Sequence, residues 1–211
     1  LDIHSLGSHA FYYCNNIADL TVNLYGTVQE SVFEHFVSSS SSKTGLSVSL
    51  KRKEKDTNSY SIGENAFAYS SIKELEMPAY IESIGESAFQ FSSLGEFSLS
   101  SDNYTSQTIG PYAFYNCKFT NEIQIPTTVI KIDSYAFSNC VTGKVEIEGN
   151  NDIDGTTISD YSFYGCTMST LAFGTFDSNF LSHSFGKCQN IEKLDFGNIK
   201  SIPPLAFQED L

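Results

Sequence analysis

A nine-fold repeat constrains this chain more than any other feature of its sequence. The repeat is centred on a phenylalanine that usually follows a small residue, at Phe11, Phe33, Phe67, Phe89, Phe114, Phe137, Phe163, Phe185 and Phe207. The intervals are 22, 34, 22, 25, 23, 26, 22 and 22 residues. A segment of this length cannot bury its own apolar face, whereas stacked copies can bury theirs against each other. The period therefore predicts a solenoid.

Two further positions repeat in register with the phenylalanine. A large apolar residue precedes it by five positions, at Leu6, Val28, Ile62, Ile84, Ile109, Ile132, Ile158, Phe180 and Ile202. Three positions after it stand Cys14, Phe36, Ser70, Ser92, Cys117, Cys140, Cys166, Cys188 and Asp210. All five cysteines occupy this one position, and their separations match no short metal-ligand spacing. We expect a small or apolar packing position, in which Cys117, Cys140, Cys166 and Cys188 are buried, unpaired and without a metal.

A short alternating segment follows each phenylalanine and has the periodicity of a β-strand. Six of these segments are Leu75–Met77, Phe97–Leu99, Ile123–Ile125, Val145–Ile147, Leu171–Phe173 and Leu194–Phe196. We expect them to be neighbouring parallel strands in that order. The same register predicts that the phenylalanines from Phe67 to Phe185 form one continuous buried ladder.

The repeat resembles the leucine-rich repeats of the BspA type. The runs that carry the resemblance are Ile84-Gly-Glu-Ser-Ala-Phe89 and Ile132-Asp-Ser-Tyr-Ala-Phe-Ser-Asn-Cys140. The resemblance implies a leucine-rich-repeat horseshoe, with a parallel sheet on the concave face and short helical or 3₁₀ turns on the convex side. It also implies a surface protein of the kind found in anaerobic bacteria and protozoan parasites and credited with adhesion to host proteins.

The domain organisation predicted from these repeats is a single solenoid over residues 1–211, interrupted by an insertion at residues 38–60. The insertion opens with Ser38–Ser42, a polar tract, and contains Leu46–Leu50, which alternates as a strand does. Neither end of the chain carries an evident polar cap of the kind that terminal repeats need. We therefore expect the chain to be a piece of a longer array.

The inserted loops offer two candidate sites. Lys51, Arg52, Lys53 and Lys55 form a basic cluster that could bind an acidic partner or could simply be a solvated loop. The sequon Asn103-Tyr104-Thr105 is a possible glycosylation site.

The outward positions of the predicted sheet form a third candidate surface, with two rows of polar residues. One row is Glu74, Glu96, Glu122, Lys144, Thr170 and Lys193, and the other is Glu76, Ser98, Gln124, Glu146, Ala172 and Asp195. Parallel strands lie about 4.8 Å apart, so Glu74, Glu96 and Glu122 would stack as like charges, which is unfavourable. A cationic partner would relieve this repulsion, although the row could equally serve solubility alone.

Composition and motifs limit the functions that this chain can have. The net charge of −13 argues against a nucleic-acid partner, and no apolar run is long enough to insert into a membrane. The calcium-like run 150–155 lacks a glutamate at its twelfth position, and neither a phosphate-binding glycine loop nor a catalytic motif is present. We predict a non-enzymatic module without metal or cofactor that binds a protein partner, at the cell surface or secreted. An intracellular scaffold that docks on a larger assembly is the alternative, since five unpaired cysteines suit a reducing compartment.

Overall fold

A computed structural model describes residues 2–37, 46–51, 58–77, 80–99, 106–149, 155–174, 179–199 and 201–208. These residues form short β-strands joined by turns. The strands, in chain order, are β1 (Asp2–Ile3), β2 (Leu20–Tyr25), β3 (Leu46–Lys51), β4 (Tyr60–Ile62), β5 (Ser71–Glu76), β6 (Ile81–Ile84), β7 (Ser93–Ser98), β8 (Gln107–Ile109), β9 (Lys118–Phe119), β10 (Ile123–Ile125), β11 (Val129–Ile132), β12 (Lys144–Ile147), β13 (Thr157–Ile158), β14 (Thr170–Phe173), β15 (Asn179–Phe180) and β16 (Lys193–Asp195).

All strand pairs are parallel, and successive coils of the chain stack as the repeat predicts. The first sheet is formed in two parts, β1-β2-β3-β5-β7-β9 and β10-β12-β14-β16. The second sheet has the order β15-β13-β11-β8-β6-β4. Its strands end at the apolar residue five positions before each phenylalanine, as in Ile84 and Ile109. The sequence pattern predicted one strand in each repeat, so this second sheet was not anticipated.

The segments around the phenylalanines are turns, so the expectation of helical or 3₁₀ segments is wrong for the described residues. Within the described residues, the positions two before and two after each phenylalanine have left-handed φ values, as at Asn65 (52°) and Tyr69 (57°) around Phe67. The amide of Phe67 donates to the carbonyl oxygen of Ala88 in the next coil at 2.7 Å, and Phe89 donates likewise to Ala113. A helix would need these donors within one segment, whereas here they join neighbouring coils.

The phenylalanine ladder is confirmed. From Phe11 to Phe207, each ring stacks on the next with centroids 4.8–5.4 Å apart and planes within 17° of parallel. The seven rings from Phe33 to Phe185 are at most 1 % exposed. The core of the solenoid is therefore a single column of aromatic rings flanked by the aliphatic side chains of both sheets.

The cysteine position supplies a buried hydrogen-bond donor as well as packing. Cys117, Cys140 and Cys166 are buried as expected, Cys188 is only half-buried, and all five cysteines are free. The Cys140 thiol donates to the carbonyl oxygen of Phe114 at 3.0 Å, and the thiols of the other three make the same contact one coil along. Ser92 occupies the same position, and its hydroxyl donates to Phe67 at 2.6 Å. Either serine or cysteine can occupy this position, because both side chains can donate a hydrogen bond to the phenylalanine carbonyl oxygen of the neighbouring coil.

The first sheet is split between β7 and the strands that follow it. Leu94 pairs with Phe119, but Phe97 lies three positions after Leu94 while Ile123 lies four positions after Phe119. Side chains alternate between the two faces of a strand, so one additional residue changes the face to which the next side chain points. Phe97 and Ile123 therefore cannot align as Leu94 and Phe119 do. Ile123 pairs with Val145 instead and begins the second part of the sheet. The predicted pairing of Phe97–Leu99 with Ile123–Ile125 is therefore wrong, while the other predicted pairs are confirmed.

Gly95 in β7 permits the close approach of β5, and this leads to a prediction. A Cβ atom added at Gly95 would overlap the backbone carbonyl oxygen of Lys73, which cannot move without disturbing the strand. We expect Gly95→Ala to lower the free energy of unfolding by about 1–3 kcal/mol, measured by urea denaturation. Gly143→Ala is the matched control, since a Cβ there meets no atom within 4 Å. Equal stability of the two variants would contradict the packing described for Gly95.

Candidate binding faces

The outward side chains of the first sheet form the sheet face. They lie in the rows that the sequence predicts, within each part of the sheet. Glu74 is level with Glu96 in the first part, and Glu76 is level with Ser98. In the second part Lys144, Thr170 and Lys193 make one row. Gln124, Glu146, Ala172 and Asp195 make the other row.

The chain's own lysines neutralise much of the acidic charge on the sheet face. The Lys51 Nζ lies 3.1 Å from a Glu76 carboxylate oxygen, and the Ser49 hydroxyl donates to the same carboxylate. The hydrogen bond from Ser49, and then that from Lys51, lower the pKa of Glu76. Lys144 bridges Glu146 at 2.6 Å and Glu122 at 3.7 Å. Its hydrogen bond to Glu146 is the main reason that the pKa of Lys144 is raised.

The sequence predicted that three carboxylates would stack side by side, but in the structure only Glu74 and Glu96 are level with each other. Glu122 lies beyond the split in the sheet and pairs with Lys144, so it does not extend the row of Glu74 and Glu96. Within the described parts of the chain, neither Glu74 nor Glu96 has an ion-pair partner. These two exposed carboxylates on adjacent strands are the part of the sheet face where added positive charge would be most favourable.

The split in the sheet opens a depression on the sheet face. Its volume is about 500 Å³, and its walls are Phe97, Ser98, Thr120, Asn121, Glu122, Gln124 and Gly143. The Thr120 hydroxyl donates to the Gly95 carbonyl oxygen at 2.8 Å and closes one side of it. The depression combines one aromatic ring with amide, hydroxyl and carboxylate groups, which suits a polar side chain of a partner.

Two columns of stacked rings run along the turns and were not anticipated from the sequence. Tyr13, His35, Tyr69 and Phe91 stand two positions after their phenylalanines and stack at 4.2, 4.5 and 5.0 Å. Tyr112, Tyr135, Tyr161 and His183 stand two positions before theirs and stack at 5.1, 5.1 and 5.0 Å. Tyr115 meets Phe91 and Tyr112 edge-on and joins the columns. We call these nine residues the aromatic ridge. Reading the aromatic residues in repeat register would have found each column by itself, but not their junction at Tyr115.

The whole chain matches one family of repeat proteins. The model for the BspA type leucine rich repeat region matches in six copies, over residues 2–107, 44–153 and 107–210. These matches extend over nearly the full sequence. The chain belongs to the BspA-type leucine-rich-repeat family. No curated protein and no solved structure matches it.

Membership of the BspA-type family indicates the general kind of function to which this repeat fold is suited. Its members are commonly surface-associated, and the family's repeat fold suits protein binding. In the described parts of this BspA-type chain, no three His, Cys, Asp or Glu side chains lie together as metal ligands would. The described residues also contain no helix that is long and apolar enough to cross a membrane.

Of the residues in the predicted loop sites of this BspA-type protein, the structure describes Lys51. Lys51 is the last residue of β3 and pairs with Glu76, so it belongs to the sheet face and is not part of a loop. Arg52, Lys53, Lys55 and Asn103 lie outside the described residues, as do residues 150–154 of the calcium-like run.

Proposed function

We propose that this chain is a non-enzymatic protein-binding module, a cell-surface adhesin that holds a protein partner on its sheet face. The observation that carries the proposal is the continuity of that face. Each part of the first sheet presents outward side chains in register from strand to strand, with Gln124, Glu146, Ala172 and Asp195 in one row. Family membership supports the protein-binding part of the proposal.

The dimensions of the sheet face suit a protein better than a small molecule. Strands at a spacing of about 4.8 Å, one from each coil, give a face roughly 40 Å long. A stable protein interface needs about 800 Å² on each partner, which a face of this length can provide. The depression at the split would receive one side chain near the centre of such an interface, where binding energy is usually concentrated.

Charge on the sheet face indicates what the partner presents. Among the described residues Glu74 and Glu96 have no ion-pair partner, whereas Glu122 and Glu146 in the second part are paired with Lys144. The partner would therefore place a lysine or arginine near β5 and β7. It would meet a mixed and already neutralised surface farther along, so electrostatics would favour one orientation of binding.

The proposal is tested by screening the purified chain against two arrays, one of extracellular host proteins and one of intracellular filament proteins. We expect binding to at least one extracellular protein, and loss of that binding in the variant Gln124→Arg/Ala172→Arg, which places bulky charge in the centre of the sheet face. Lys131→Glu is the control, because Lys131 is an exposed residue of the second sheet. Affinity is measured by surface plasmon resonance, with thermal melting to verify folding.

Each outcome of this screen discriminates between functions. Partners found only among the filament proteins would replace the adhesin by the intracellular scaffold. Binding that survives Gln124→Arg/Ala172→Arg and is lost in Lys131→Glu would exclude the sheet face as the binding surface. Absence of any partner on both arrays would contradict the binding module itself.

A further inference from the structure

We propose that the aromatic ridge is a second binding surface, distinct from the sheet face, and that it takes an arginine-rich segment of a protein. This inference does not depend on the partner of the sheet face. It rests on the exposure of the rings, on the geometry where the two columns meet, and on the charge that surrounds them.

Four of the nine rings of the ridge are exposed to an extent that core packing does not require. Tyr13 is 54 % exposed, Tyr69 and Phe91 are 39 % exposed, and Tyr112 is 37 % exposed, while the phenylalanine ladder beneath them is closed to solvent. Isolated exposed rings are ordinary, but a contiguous line of them typically marks an interaction surface. Tyrosine is also enriched at protein interfaces, because its ring is rigid and its hydroxyl remains hydrogen-bonded.

The parallel stacking of the ridge is interrupted where the two columns meet. Phe91 ends the first column, stacked on Tyr69, and Tyr112 begins the second, stacked on Tyr135. Tyr115 contacts both with its ring steeply inclined, at 5.5 and 5.6 Å. Among the described residues no further parallel ring covers the other side of Phe91 or of Tyr112. A planar cation can therefore lie against these two rings.

Carboxylates stand in the same turn segments as the first column of the ridge. Glu30, Glu64 and Glu86 stand three positions before their phenylalanines and are exposed, and Glu34 stands one position after Phe33. In the described turn segments, Lys187 is the one lysine or arginine, and it lies at the far end of the second column. Carboxylates beside exposed rings attract a cation both through its charge and through the ring quadrupole.

Lys187 shows that the rings of the turns accept a cation. Its Nζ lies 5.6 Å from the centre of the Tyr164 ring, within the range of a cation–π contact. Arginine fits the meeting point better than lysine does, since guanidinium is planar, stacks on rings and binds carboxylates through two hydrogen bonds. A ligand that needs open ring faces along the whole ridge, such as a polysaccharide, would find the faces inside each column covered by neighbouring rings.

The test uses a fluorescent twelve-residue peptide of alternating arginine and serine, with lysine and aspartate versions, and measures anisotropy at 0.15 M salt. We expect the arginine peptide to bind, the lysine peptide to bind more weakly, and the aspartate peptide not to bind. Glu64→Gln/Glu86→Gln should weaken arginine-peptide binding about tenfold. Glu82→Gln/Glu192→Gln makes the same change of charge at two exposed carboxylates outside the ridge and the sheet face, and should change it less than about twofold. Phe91→Leu keeps the apolar bulk and should weaken it about threefold, because the π-face is lost.

Three results would overturn the proposal. Equal weakening by Glu64→Gln/Glu86→Gln and by Glu82→Gln/Glu192→Gln would mean that only net charge attracts the peptide. Equal affinity for the arginine and lysine peptides, together with no effect of Phe91→Leu, would mean that the rings take no part. Failure of the arginine peptide to bind the folded wild-type chain would exclude the site. None of these results bears on the sheet-face partner, so the two proposals can fail separately.

Discussion

Replacing Phe137 by alanine is expected to lower the free energy of unfolding by about 3–5 kcal/mol. The Phe137 ring is fully buried and stacks on Phe114 at 4.8 Å and on Phe163 at 5.0 Å. Its removal takes contacts from both neighbouring coils at once. The backbone cannot close the gap, because the turns on either side are joined by hydrogen bonds such as Phe114 to Ala136. Urea denaturation followed by circular dichroism measures the change.

Val141→Ala is the control for this substitution, because Val141 lies in the same repeat and is 44 % exposed. Its loss should change stability by less than about 0.5 kcal/mol. Phe137→Leu should fall between the two, since leucine fills part of the space. If Phe137→Ala were no more destabilising than Val141→Ala, the ring column could not be the core of the solenoid.

Alkaline pH, above about 8.5, is expected to destabilise the folded chain. Burial raises the pKa of the Cys117, Cys140 and Cys166 thiols. In the unfolded chain these thiols ionise above a pKa of about 8.5, so there the unfolded state binds fewer protons than the folded state. Their contribution to stability is therefore complete below that pH and is lost as the pH rises. Three thiols give a slope of up to about 4 kcal/mol per pH unit above pH 8.5.

The measurement is urea denaturation at pH 7.5, 8.5 and 9.5 with a phosphine reductant present, so that oxidation does not contribute. The variant Cys117→Ser/Cys140→Ser/Cys166→Ser is the control, because Ser70 and Ser92 already occupy equivalent positions and donate the same hydrogen bond. It should remain folded and lose most of the alkaline slope. An unchanged slope in the triple variant would show that the buried thiols are not its cause.

The two proposed binding faces differ in polarity and charge. The sheet face is polar, and lysines such as Lys144 neutralise much of its charge. The aromatic ridge has exposed rings beside carboxylates and one lysine in the described turns. A partner selected by shape and hydrogen bonds suits the first face, and a partner selected by positive charge suits the second. One chain could therefore hold two partners, one on each face.

The repeat alone determined the stacked architecture, the phenylalanine ladder and the common cysteine position. In a parallel stack, each residue lies beside the equivalent residue of the next coil, so a period in the sequence is a statement about contacts in space. This is why Phe114 and Phe137, 23 residues apart, could be predicted to touch. The rows of the sheet face could be predicted within each part of the sheet for the same reason.

The tertiary structure alone decided the features in which neighbouring coils differ. One additional residue between Phe119 and Ile123 split the first sheet, separated Glu122 from Glu96 and opened the depression. The aromatic ridge passes from one repeat position to another at Tyr115, so no single position in the repeat contains it. The turns do not form helices, because the residues with left-handed φ values donate their backbone amides to carbonyl oxygens of the next coil. Such features depend on contacts between non-equivalent repeat positions in neighbouring coils. The period of the sequence gives information only about contacts between equivalent positions.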